Sequence, residues 1–62
     1  MKAFEINDGD CFKPIADTVV YKLIKKHETY CAVRDVRFKD TWFYASYFEI
    51  GDIEKVECNG EK

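Results

Sequence analysis

Thr41-Trp42-Phe43-Tyr44-Ala45-Ser46-Tyr47-Phe48 holds five of the chain's ten aromatic residues, including its only tryptophan, so its reading decides where the aromatic surface goes. Trp, Phe and Tyr favour a pleated, half-buried surface, and the first half of the stretch reads as a strand. Side chains alternate along a strand, which puts Trp42 and Tyr44 on one face and Phe43 and Ala45 on the other. One small core can be filled by only one of those faces. Phe43, alternating with the small Ala45, is the expected core residue, and Trp42 and Tyr44 are expected outside. At Ala45–Glu49 the alternation ends and a short helical turn is expected.

Working back from this stretch, Tyr30-Cys31-Ala32-Val33-Arg34-Asp35-Val36 reads as a strand with Cys31 and Val33 toward the core. Lys26-His27-Glu28-Thr29 is the polar connection before it. Thr18-Val19-Val20-Tyr21-Lys22-Leu23-Ile24-Lys25-Lys26 is the clearest strand, because consecutive β-branched residues and a missing cap argue against helix. Val19, Tyr21 and Leu23 share one of its faces; Val20, Lys22 and Ile24 share the other. Cys11-Phe12-Lys13 is a short strand stopped by Pro14, which cannot donate to a ladder. Asn7-Asp8-Gly9-Asp10 is a turn, since Asn and Asp bond their own backbone and Gly accepts positive φ. Met1 to Ile6 reads as an edge strand or a strap. Past the helical turn, Gly51-Asp52 restarts the chain and Ile53–Glu57 closes it as a last strand. Residues 58–62 are expected to fray.

The expectation is one mainly β domain over 1–62, ordered across about 4–57. Five short strands and a helical turn before the last suggest a small antiparallel barrel. On Gly9-Asp10-Cys11-Phe12, Val20–Ile24, Tyr30–Val33 and the turn at Ala45–Glu49, the chain resembles SH3-like small barrels. It carries no acidic loop or Ala-Leu-Tyr-type motif, so binding of Pro-rich peptides is not implied. In size and style it also resembles the small accessory proteins of T-even-type bacteriophages, which implies a protein that binds and modulates a host protein.

Charge is unevenly distributed along a chain of net charge −2. Residues 13–39 carry seven Lys/Arg against three acids, while residues 40–62 carry two Lys against six acids. Three cysteines, Cys11, Cys31 and Cys58, make an odd count, and the first residues are acidic where a signal peptide needs an apolar run. These features predict free thiols and a cytoplasmic protein without a membrane span. With His27 they could number four zinc ligands, but no close pair such as Cys-x2-Cys exists. No nucleophile stands beside His27, and Asp8-Gly9-Asp10 lacks the further oxygens of a calcium loop. The chain is read as non-enzymatic, with no metal or cofactor.

Two binding functions follow. Tyr30, Arg34, Trp42 and Tyr44 form the expected protein-contact surface, since exposed Trp and Tyr with Arg have hot-spot composition. The alternative is nucleic acid held by Lys22, Lys25, Lys26, Arg34, Arg37 and Lys39, with Tyr30, Trp42 and Tyr44 as stacking faces.

Overall fold

A computed structural model describes residues 1–58 as five antiparallel strands in one sheet, with a lone 3-10 turn and a single-turn helix. The strands are β1 (Cys11–Pro14), β2 (Tyr21–Lys26), β3 (Tyr30–Asp35), β4 (Phe43–Ser46) and β5 (Ile53–Val56). Their order across the sheet is β4-β3-β2-β1-β5. The helix α1 (Tyr47–Ile50) stands just before the last strand, as expected. Among the described residues no ladder joins β4 to β5, so the sheet keeps two edges and a closed barrel is not seen.

The core is built from the inward positions of the pattern. Leu23 pairs with Val33, and Phe12 and Cys31 complete a set that is 0–2% exposed. Ile53 enters from β5, while Tyr21, Tyr47 and Ile50 pack against the cluster. The N-terminal segment is a strap, not an edge strand. Its 3-10 turn (Ala3–Glu5) buries Ala3, and Ile6 follows it into the core. Lys2 bridges to Asp52, and the Ile53 N–H donates to the Met1 carbonyl at 2.7 Å.

Local chemistry fixes the joints. Gly9 takes φ +95°, a value an L side chain resists, and its N–H donates to the Leu23 carbonyl at 2.7 Å. The Ser46 hydroxyl accepts from the Glu49 N–H at 3.0 Å, and the Glu49 carboxylate accepts from the Ser46 N–H at 3.2 Å. This reciprocal capping ends β4 and starts α1. Gly51, at φ +69°, ends that helix, donating its N–H to the Tyr47 carbonyl.

Two expectations are corrected. Phe43 is 48% exposed; it lies at the sheet's edge, on the inward side but beyond the cover of the core, and touches Tyr21 edge to face at 6.0 Å. The three cysteines are not all free, because Cys11 is joined to Cys58, leaving Cys31 as a buried thiol. The tail expected to fray is thus anchored at Cys58; residues 59–62 lie outside the described residues. Burial pushes the Cys31 thiol pKa up, since the thiolate would lose its hydration.

Three outcomes follow from this packing. Leu23→Ala should cost about 3–5 kcal/mol in urea unfolding, and Phe43→Ala about 1 kcal/mol, since half of that ring is already in water. Unfolded without reductant, the chain should titrate one thiol, that of Cys31; three would mean that the Cys11–Cys58 bond does not form. The third concerns the strap. A hydrogen bond from Lys2, and then its charge, hold the Asp52 carboxyl below its usual range. Because the folded value is depressed, this contribution is complete above the unfolded pKa of about 3.9 and fades as pH falls through the folded one. An NMR titration of the Asp52 carboxyl carbon should show the low value, and Lys2→Ala should return it to the ordinary one.

Candidate binding face on strands β2, β3 and β4

The outward face of β2, β3 and β4 starts from register. Ala32 pairs with Tyr44, Tyr30 with Ser46 and Lys22 with Arg34, so these side chains point away from the core that Cys31 and Val33 enter. Trp42 lies two residues before Tyr44 and shares its side. A bulge in β2 alters the set. Leu23 pairs with Val33, but the next partner, Ala32, takes Lys25 and skips Ile24. The extra residue leaves both Ile24 and Lys25 on the outer side and turns Lys26 opposite Cys31.

The centre of the face is a shallow hollow of about 240 Å³, lined by Ile24, Lys25, His27, Ala32, Trp42 and Tyr44. It exists because Ala32 is small where its neighbours are large. Around it the rings brace one another. His27 stacks on Tyr30 at 4.6 Å, Tyr30 meets Tyr44 edge to face at 5.5 Å, and Trp42 meets Tyr44 the same way at 5.0 Å. Such contacts fix the rings while leaving area uncovered: Tyr30, Trp42 and Tyr44 remain 40%, 54% and 59% exposed. The hairpin that carries His27 is held from below, where the Tyr47 hydroxyl donates to the His27 carbonyl at 2.6 Å.

All four residues expected to contact a protein, Tyr30, Arg34, Trp42 and Tyr44, fall on this one face. The six basic candidates divide. Lys22, Lys25 and Arg34 belong to the face. Lys26 turns away, its Nζ donating to the Phe4 carbonyl at 3.3 Å and its N–H to Asp8 Oδ1 at 2.9 Å. Arg37 is engaged by Asp35 through Nε at 3.1 Å and Nη2 at 2.8 Å, bonds that hold the Asp35 carboxyl below its usual range. Lys39 sits in the exposed turn before β4.

Sequence reading missed Ile24, His27 and Ala32. The alternation that signals a strand cannot show a bulge, and a lone turn histidine carries no mark of the tyrosine it will stack on. No strand residue on this side bears a carboxylate, because Asp35 pairs with Tyr21 on the inner side. The face offers apolar area and positive charge, with no aligned nucleophile and base. Comparison with protein-family models, characterised proteins and solved structures finds no match, so the functional reading rests on this geometry.

Proposed function

We propose that this protein is a non-enzymatic interaction module that binds another protein through the outward face of β2, β3 and β4. The observation that carries the reading is the braced ring set Tyr30, Trp42 and Tyr44 around the hollow over Ala32. Rings ordered before binding lose little side-chain entropy when a partner covers them, and a hollow between them is the kind of pocket that takes a partner's anchor side chain. Lys25, which lines the hollow, favours a partner surface that brings a carboxylate. If the chain is a phage accessory protein, the partner would be a host protein.

A second reading is favoured by one specific feature, the merging of the basic and aromatic sets on a face whose strands bring no carboxylate. That is also what a single-stranded nucleic acid needs: cations along the backbone and rings under the bases.

Capture from a bacterial lysate, with and without nuclease, separates the two. A protein retained after nuclease treatment by the wild type, and lost with Trp42→Ala and with Ala32→Leu, is the expected result. Trp42→Ala should weaken the purified pair by about 2 kcal/mol or more while barely moving the thermal midpoint. Ala32→Leu should fill the hollow and act in the same direction. Titration with an oligothymidylate gives the other outcome. Tight binding that falls steeply with salt and disappears in Lys25→Glu with Arg34→Glu would replace the protein partner by nucleic acid.

A further inference from the structure

The two edges of the sheet are finished in opposite ways. At β5 the strap supplies a backbone partner, Met1, to the Ile53 N–H, and Lys2 pairs with Asp52 at 2.7 Å. Asp52, Glu54, Lys55 and Glu57 then spread charge along that side. Among the described residues β4 has no such protection. From Thr41 to Phe48 the chain has no charge and no proline, the composition that invites strand pairing. Both faces of its first half stay exposed, with Phe43 at 48% on one side and Trp42 and Tyr44 above half on the other.

The open backbone groups can be assigned. The Tyr47 N–H donates to the Thr29 carbonyl, and with Tyr30 paired to Ser46 the alternation of an antiparallel ladder makes Cys31–Ala45 and Val33–Phe43 the hydrogen-bonded pairs. Phe43 and Ala45 therefore bond toward β3, and the N–H and carbonyl of Tyr44 point out of the sheet. The Ser46 N–H is already occupied by Glu49. The usable edge is short and centred on Tyr44.

We propose that β4 pairs antiparallel with β4 of a second copy of this chain, about a two-fold axis at Tyr44. The two Tyr44 residues then exchange both backbone hydrogen bonds. This register sets no like charges against each other over residues 41–47. Because the same patch serves both copies, the contact is closed by one dimer, and the charged, strapped β5 edges keep the ten-stranded sheet from growing into a fibre. Trp42 and Tyr44 also line the outward hollow, so the two readings are told apart by the Tyr44 amide, which reports the dimer, and by Ala32→Leu, which fills the hollow and leaves the β4 edge intact.

Sedimentation equilibrium of the full chain, with amide exchange read by NMR, tests the pairing. Between about 10 μM and about 1 mM the wild type should pass from monomer to dimer, and protection of the Tyr44 amide should rise roughly tenfold or more with it. Tyr44→Lys and Tyr44→Glu should each stay monomeric, because like charges would meet on the axis, and an equimolar mixture should form the heterodimer. A wild type that stays monomeric at the highest concentration overturns the proposal. So does a dimer in which the Tyr44 amide gains no protection, or one that survives both substitutions. Should either variant unfold, the wild-type exchange measurement decides alone.

Discussion

Everything in this chain depends on one cross-strand contact layer, Leu23 against Val33 with Phe12 and Cys31 beside them. A 62-residue chain can fill only one side of one sheet, since its surface is large for its volume. Once that side is filled, little interior remains. Of the aromatic residues only Phe12 is fully buried, and Tyr21 and Tyr47 are half-covered. The other seven are left in water to a substantial degree, among them Trp42, Phe43 and Tyr44. The exposed rings are a consequence of arithmetic between aromatic content and core volume. What the fold adds is their arrangement, because β3 and β4 align three of them on one side around a small residue.

The strands were legible because their physics is local. The turn at Asn7–Asp10 decides its own backbone, whereas the β-branched run at 18–20 stays outside β2 and β1 runs on through Pro14, which pairs with Ile53. Cys31 and Val33 could be assigned inward from alternation alone, and Tyr30, Arg34, Trp42 and Tyr44 could be grouped because pairing two hairpin strands fixes their common side. The helical turn expected where the alternation ends also holds, and the Ser46–Glu49 capping box gives its mechanism. Closure of a barrel was a different kind of expectation, resting on the whole sheet and not on any residue.

What escaped was non-local. Phe43 has the right parity for the core, but parity says nothing about distance from its centre, and an edge strand reaches only the core's margin. The β2 bulge moves Lys25 and Lys26 to opposite sides of where strict alternation puts them, and no glycine marks it. The pairing of Cys11 with Cys58 arises because β5 returns beside β1, with Val56 opposite Cys11. An odd count of cysteines is equally compatible with one bridge and one buried thiol, and only the topology chooses.

That bridge changes how the molecule would respond to pulling. All five strands lie within the 47-residue separation between Cys11 and Cys58. Tension applied to the chain outside the two cysteines passes straight through the sulfur–sulfur bond and never reaches a ladder. Among the described residues only the ten before Cys11 can be drawn out, an extension of about 35 Å at full stretch. Under load the strap is therefore the compliant part and the sheet is spared. With the bond reduced, the same force would fall on the pairing of β1 with β5, and the two strands at the chain's ends would be the first to part.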